Sequence, residues 1–519
     1  MADLALLGLD VGTSSSKAIV LAEDGRELAR GRVEYQLTYL GCGWVELDLT
    51  VVWAAVTTLI RQVTAQARAS GGAVRAISLS VSGDEAIPVA ADGRHLRPCI
   101  MAMDNRTASL AEQFGRKVGR QRLYDITGLP VHAMHPLVRL MWIREHEPEV
   151  FAQTAKMLCW SELITALLGA APVSDYSVAS RTMAFDVVRQ EWSQEILAAA
   201  GVDPSLMPEL APSGTVIGEV PARIAADLGV QAGAKVVAGG FDQPMAALGS
   251  GVIDAGDAGV GTGTWEALVA VTDAPVLTRR MLEAGYPFGC YVLPGRFFCL
   301  ASNAGGGSLL RWFKDTFGAD DMRRAHRSKS DPFDVILRDL PDEPTGMIAL
   351  PHFQGSYSPW MDPGATGAIL GLSLATTRGE FVKAILEGTA FELRANIERV
   401  EAAGIAIASL RATGGGARSP RWLQLKADIT GKPISTVNVD ETGCLAAACL
   451  AGVGLGLFAS ADEPVRAWVR PAMTFDPDPA RRATYNAIFA DYLGLVRAVA
   501  PLSHAITARR QNQAEECQE

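Results

Sequence analysis

Several clusters of residues in this chain have the types and spacing that phosphate and hydroxyl chemistry requires. Asp10-Val11-Gly12-Thr13-Ser14-Ser15-Ser16-Lys17 sets a carboxylate at the end of an apolar run and follows it with a glycine, hydroxyls and a cation. Backbone N–H groups in a tight turn of this kind cradle phosphate, which makes Thr13, Ser14 and Lys17 candidate phosphate ligands, and a carboxylate such as Asp10 holds hydrated Mg²⁺. A hairpin rich in serine simply because turns favour serine has the same composition, so this segment alone leaves both readings open. The pattern recurs. Val11-Gly12-Thr13 followed by Ala18 and Val20 is echoed by Val260-Gly261-Thr262 followed by Ala267 and Val269 at identical spacing, which makes Gly261, Thr262 and Gly263 a second candidate grip.

Gly414-Gly415-Gly416-Ala417 lies between a strand-like stretch and a helix expected from about Pro420 to Ile429. A glycine turn at a helix N-terminus lets a nucleotide approach the backbone. It lacks the ending of a Walker loop and does not fit GxGxxG, and a plain strand-to-helix turn is the alternative. Asp242 follows Gly239-Gly240-Phe241 and precedes Pro244 and an Ala-rich helix start, a position that by itself reads as an N-cap. Glu85, Asp104 and Arg106 follow two successive apolar runs, where they either bind hydroxyls or serve as ordinary loop polars.

The elements that must position these residues are legible in outline. Leu4 to Asp10 and Lys17 to Ala22 read as a β-hairpin, with Asp24-Gly25 closing the second strand. A strand from Glu27, a helix near Trp53 to Arg68 and a strand near Val74 to Ser80 follow. This order predicts an α/β fold with a mixed sheet, and the echo near residue 260 predicts a second lobe of the same build across a cleft. The boundary falls near Gly249 to Gly256, giving lobes 1–249 and 250–519 and leaving open whether the last segment packs back on the first lobe. Leu445 to Ala459 is too short for a membrane span and reads as a buried helix and turn. Beyond about Ile506 the polar tail reads as frayed.

Composition removes whole classes of function. The chain has 519 residues, 49% hydrophobic and 20% charged, so it folds, and its formal net charge of −10 repels nucleic acid and anionic membrane surfaces. Eight Cys without a CxxC pair and seven His without an HExxH give neither a disulfide framework nor a structural zinc site. Reduced thiols, and a start of Met-Ala-Asp running straight into a strand with no leader pattern, fit a cytoplasmic protein. A homodimer is left open.

Gly367-x-Ile369-x-Gly371-Leu372, seven residues, then Glu380-Phe381-x-x-Ala384-Ile385-Leu386-Glu387 matches the C-terminal signature of the FGGY carbohydrate kinases at every constrained position. Asp175-Tyr-Ser-Val-Ala-Ser-Arg181, Gly239-Gly-Phe-Asp242, Asp362-Pro-Gly-Ala-Thr-Gly367 and Gly414-Gly-Gly-Ala-Arg-Ser-Pro420 support it in the right order. The chain thus resembles that family nearly end to end, and its xylulokinase-like branch most. The resemblance implies two ribonuclease-H-like lobes of the actin-like ATPase type closing over ATP, Mg²⁺ and a small sugar. It implies phosphorylation of a sugar hydroxyl, of a ketopentose such as D-xylulose. The alternatives are a polyol kinase acting on erythritol, ribitol or glycerol, and a non-enzymatic ATP-binding relative. By the same resemblance Asp242 is the catalytic base and touches the sugar, Asp10 is the Mg²⁺-associated acid, and the turns at Thr13 and Thr262 grip phosphate. Gly414 to Ala417 forms the adenosine site, and Glu85, Asp104 and Arg106 bind the sugar. The chain departs from the family where typical xylulokinases have Gln-Met-His-Gly and it has Ser82-Gly83-Asp84-Glu85. It also has Met-Ala-Met before Asp104, Arg139 for a lysine, and Ser356-Tyr357 for Glu-Arg.

Overall fold

The structure, a computed structural model, describes residues 3–41 and 43–516. In the first half, β1 (Asp3–Val11), β2 (Ser15–Ala22) and β3 (Glu27–Glu34) are followed by α1 (Leu49–Ala69) and β4 (Gly72–Val81). Then come α2 (Pro136–His146), the single turn α3 (Tyr176–Ala179), β5 (Val216–Glu219), β6 (Lys235–Val237), β7 (Gly240–Phe241) and α4 (Asp242–Gly249). Residues Ala5, Leu6, Leu7 and Leu9 are fully buried because β1 lies at the centre of the sheet, covered on both faces, which explains its unbroken apolar run. Asp48 starts α1 by accepting from the Thr50 N–H at 2.8 Å, and Val52, Val56, Leu59, Ile60 and Val63 form the stripe that covers the sheet.

The second half contains β8 (Asp257–Thr262), β9 (Glu266–Thr272), β10 (Phe288–Cys290), β11 (Phe297–Asn303), α5 (Gly307–Phe317) and α6 (Arg378–Ala402). It continues through β12 (Ser409–Thr413), α7 (Pro420–Thr430), β13 (Ile434–Val437), α8 (Thr442–Gly454), β14 (Pro471–Phe475) and α9 (Pro479–Glu516).

Each half builds a seven-stranded mixed sheet. The first runs β5-β6-β4-β1-β2-β3 with β7 also paired to β4, and the second runs β10-β11-β9-β8-β12-β13-β14. Read from β3, the pairings are antiparallel, antiparallel, parallel, parallel, antiparallel. Read from β11, they follow the same sequence. The echo of residues 11–20 in 260–269 therefore lies on equivalent hairpins of a duplicated sheet.

The two lobes exchange a helix. Although α8 belongs to the second half, it packs on β1 and β4, and its backbone lies so close that a Cβ on Gly8 would stand 1.9 Å from the Cys444 carbonyl oxygen. In turn α4 touches β8 and β9 and crosses α8, where a Cβ on Gly249 would meet the Thr442 oxygen at 1.9 Å. The segment that returns to the first lobe is thus α8, while α9 packs Tyr485, Phe489 and Tyr492 into the second lobe around Phe391. The tail expected to fray from Ile506 is helical through Glu516. Ser503 and Thr366 share a 2.9 Å hydrogen bond, His504 pairs with Asp362 at 2.8 Å, and Thr507 donates to the Gly364 carbonyl at 3.0 Å.

Among the described residues no helix is long and apolar enough to cross a membrane. Cys99, Cys159, Cys290, Cys299, Cys444 and Cys449 are free and buried.

Candidate active site

The sheet itself brings two acids together. Asp10, the next-to-last residue of β1, lies opposite Ser80 of the parallel β4, and the Ser80 hydroxyl donates to Asp10 Oδ1 at 2.8 Å. On the other side of β4, Gly240 of β7 also lies opposite Ser80, so the next residues emerge at the same end of the sheet. The passage is tight, for a Cβ on Gly239 would fall 1.7 Å from the Leu79 carbonyl oxygen. Asp242 follows as the first residue of α4.

It is not the N-cap. Phe241, still extended at φ −63° and ψ 137°, holds that position, and no cap hydrogen bond comes from a side chain. Asp242 Oδ1 is instead buried without a partner. Burial, then the negative charges of Asp10 and Asp84, raise its pKa to about 7, against the opposing pull of Gln243 and Arg181. Burial likewise raises the Asp10 carboxyl, with Lys17 acting against it.

Asp84 and Arg181 flank this acid and are not among the residues to which the sequence gives a chemical role. Arg181 donates from Nε and Nη2 to Asp84 Oδ1 at 3.1 and 2.9 Å, and its guanidinium lies 4.9 Å over the Phe241 ring. The available signal was the match of Asp175 to Arg181 to a family stretch, which carries no role by itself.

Glu85, next to Asp84, turns inward and has no exposed surface. The Ser82 hydroxyl donates to its Oε1 at 2.6 Å, its Oε2 has no partner, and burial holds its carboxyl well above the usual range. Beneath it the buried Arg139 of α2, which stands where the family has lysine, donates to the carbonyl oxygens of Asp84 and Met101.

Asp104 and Arg106 are brought to each other. Asp104 accepts from the Val45 N–H at 2.6 Å, from the Arg106 N–H at 2.9 Å and from the Arg106 guanidinium at 2.8 Å. Arg106 also donates to Glu46 at 2.8 Å and stacks 4.1 Å over Trp44. Their polar atoms are spent in this buried knot, which fixes the loop after β4 against residues 44–46.

The two hairpins differ. In the first, the turn at Thr13 and Ser14 is closed by Gly12 N–H to Ser15 O at 3.0 Å and braced by the Tyr35 hydroxyl on Gly12 O at 2.6 Å. Lys17 leaves the turn to pair with Glu441 at 2.7 Å, joining the hairpin to the loop before α8. In the second, the Thr262 side chain is buried and its hydroxyl accepts from Lys426 Nζ at 2.8 Å, while Lys426 also pairs with Glu266. A lysine buried this deeply needs those partners, so the Thr262 hydroxyl is taken, and the Gly263 N–H closes the turn on the Trp265 carbonyl at 3.0 Å.

Gly414, at φ +85°, turns the chain against this hairpin, and a Cβ on Gly416 would meet Thr262 Cγ2 at 2.3 Å. A Cβ on Gly415 meets nothing within 4 Å. Residues 261–263 and 414–417 thus form one wall of the second lobe with an open face at Gly415. The tip is held by α5, whose Gly307 N–H donates to Gly263 O at 2.8 Å and Ser308 N–H to Thr264 O at 3.1 Å.

Comparison with known proteins accounts for this plan. Residues 5–249 match the N-terminal domain of the FGGY family of carbohydrate kinases and residues 258–455 its C-terminal domain. A xylulose kinase of Bacillus subtilis is 27% identical over 98% of this chain and 99% of its own length. A gluconokinase of the same organism is 28% identical over 88% of this chain and 87% of its own. The crystal structure of ligand-bound xylulose kinase from Lactobacillus acidophilus superposes with a TM-score of 0.87 at 26% identity, covering 96% of this chain and 98% of that one. Two family domains in order on one duplicated scaffold leave a single assignment: the chain belongs to the FGGY family of carbohydrate kinases, enzymes that transfer a phosphoryl group to an alcohol acceptor.

Proposed function

We propose that the protein phosphorylates a hydroxyl of a small ketose, a ketopentose such as D-xylulose, at the expense of ATP, with Asp242 as general base. The observation that carries this reading is the unpartnered Asp242 Oδ1, held beside Asp10 at the lobe junction with its proton affinity raised to about 7. A base of that strength accepts a proton at neutral pH and gives it up again. Asp242 takes the proton from the acceptor hydroxyl as that oxygen bonds to the γ-phosphorus. The bond from phosphorus to the bridging oxygen breaks, and its electron pair leaves with ADP.

The residues present fit Mg²⁺. Among the described residues no three His, Cys, Asp or Glu side chains form a metal cluster, and Mg²⁺ ordinarily takes only one or two protein carboxylates together with water and phosphate oxygens. Asp10 supplies such a carboxylate, and the ion, when bound, neutralises phosphate charge. The turn at Thr13 and Ser14 and the hairpin end at Gly261 to Gly263 hold equivalent places in the two sheets and serve as the phosphate grips. The open side of Gly415 is where the adenosine approaches. For the sugar, Asp84 takes the place expected of Glu85, since its carboxylate keeps some exposure beside Asp242 whereas Glu85 keeps none. Asp104 and Arg106 act behind it by holding the loop. Six buried free thiols fit a reducing cytoplasm.

A coupled ATP assay over ketopentoses, alditols and aldonates, D-gluconate included, tests the reading. Highest kcat/KM with a ketopentose is expected. Preference for an alditol or aldonate overturns the substrate assignment, and absence of turnover with every acceptor overturns the transfer itself.

A further inference from the structure

We propose that the segment Asp175–Arg181 is a positioning brace for Asp242, gripping Phe241 by its backbone through Ser177 and by its ring through Arg181. The proposal rests on Asp242 being the base. Asp175 starts α3, and its Oδ1 accepts from the Ser177 N–H at 2.8 Å, the Val178 N–H at 3.1 Å and the Ser177 hydroxyl. A serine hydroxyl has one proton to donate. With that proton committed to a carboxylate, the Ser177 oxygen can only accept, and it accepts from the Phe241 N–H at 2.9 Å. Phe241 is the residue that caps α4, so the hydrogen bond fixes the Gly240–Phe241 peptide, one residue ahead of the base.

The other end of the segment acts on the same residue. Arg181 lies 4.9 Å over the Phe241 ring and holds Asp84 Oδ1 from Nε and Nη2, which fixes the second carboxylate beside Asp242. Gly83 keeps the stack close, for a Cβ there would stand 3.1 Å from Arg181 Cγ and 3.3 Å from Phe241 Cδ2. Asp175, Ser177 and Arg181 are 1%, 0% and 3% exposed, so none of them is placed to touch a reactant. Asp175 Oδ2 is buried without a partner, a cost that capping a single turn does not require.

The test is steady-state kinetics of Ser177→Ala, Asp175→Ala, Asp175→Asn, the double alanine variant and Asp242→Asn, with melting temperatures for each. A loosened base loses turnover and not affinity. Ser177→Ala and Asp175→Ala are expected to lower kcat about ten- to hundredfold, with KM for sugar and for ATP within about threefold of wild type. Asp175→Asn, which keeps an acceptor for the Ser177 hydroxyl, is expected to stay within about threefold of wild-type kcat. Because the two residues act in series, the double alanine variant should lose no more than Ser177→Ala alone. Unchanged kcat per folded molecule in Ser177→Ala, losses confined to KM, or losses that multiply in the double variant would each overturn the brace. Should Ser177→Ala fail to fold, the Asp175→Ala and Asp175→Asn pair decides by the same kcat criterion. Wild-type turnover in Asp242→Asn refutes the base and leaves the brace without a purpose. An inactive Asp242→Asn beside a fully active Ser177→Ala refutes the brace alone.

Discussion

Replacing Asp242 by asparagine is expected to abolish turnover and to stabilise the protein at neutral and higher pH. The second effect follows from the same burial that raises its proton affinity. A carboxyl whose folded pKa is about 7 against an ordinary 3.8 binds its proton more tightly in the folded state, so between those values the folded protein holds more protons than the unfolded one. Stability then falls as pH rises from about 4 to about 7, and above that the ionised carboxylate costs up to about 4 kcal/mol. The residue is only partly enclosed and gains some of the favourable field at the start of α4, roughly 0.3 to 1 kcal/mol, so a net gain of about 1 to 3 kcal/mol in Asp242→Asn is the working figure. Asparagine is nearly isosteric and carries no charge to desolvate. ADP release under saturating sugar should drop by about 10² to 10⁴-fold, while the melting temperature at pH 8 rises by a few °C and the gain shrinks toward pH 5. In the wild type kcat/KM should climb with pH through about 7, being about tenfold below its plateau one pH unit lower. Turnover within tenfold of wild type, or a melting temperature at pH 8 below that of wild type, would refute the reasoning.

Three further expectations address the rest of the site. Asp10→Asn should raise the MgCl₂ concentration needed for half-maximal rate about tenfold or more with little change in sugar KM, because the proposed role of the lost charge is toward metal and phosphate, and a MgCl₂ titration of both proteins reads it directly. Gly415→Ala should fold normally yet raise the KM for ATP, since its new Cβ enters open space at the proposed adenosine site, whereas Gly416→Ala should lower the melting temperature because its Cβ would overlap Thr262 and Trp422. Asp84→Asn should reduce kcat/KM for the sugar about 10²-fold. Glu85→Gln, at a carboxyl that burial holds well above the usual range, should keep activity within about tenfold, and equal losses in the two variants would return Glu85 to the sugar site.

The duplicated hairpins were legible because strand pairing within a hairpin is local, and the same spacing of glycine, threonine and apolar residues at 11–20 and 260–269 reports the same local geometry. What depended on pairing across the chain was not legible. Asp-x-Pro ahead of a helix looks like a cap at short range, and only the parallel pairing of Gly240 and Phe241 with Ser80 and Val81 moves the cap back to Phe241 and releases Asp242 from it. Asp84 and Glu85 are neighbours of like charge. Which of them keeps some exposure is set by where β4 ends and by Arg181, which holds Asp84 from 97 residues away. Asp104 and Arg106 carry the composition of a sugar site, but Val45, Glu46 and Trp44 reach them first. The exchange of α4 and α8 follows the same logic at a larger scale, since a buried Ala-rich helix says that it is covered and not which sheet covers it. That exchange has a mechanical consequence. Asp242 opens the helix that rests on the second sheet, yet its strand belongs to the first, and a Cβ on Gly443 at the start of α8 would stand 3.5 Å from Asp10 Oδ1. Any rotation of the lobes therefore moves the helices that carry or touch both acids, so with Asp242 as the proposed base the geometry of proton acceptance would follow the relative placement of the lobes.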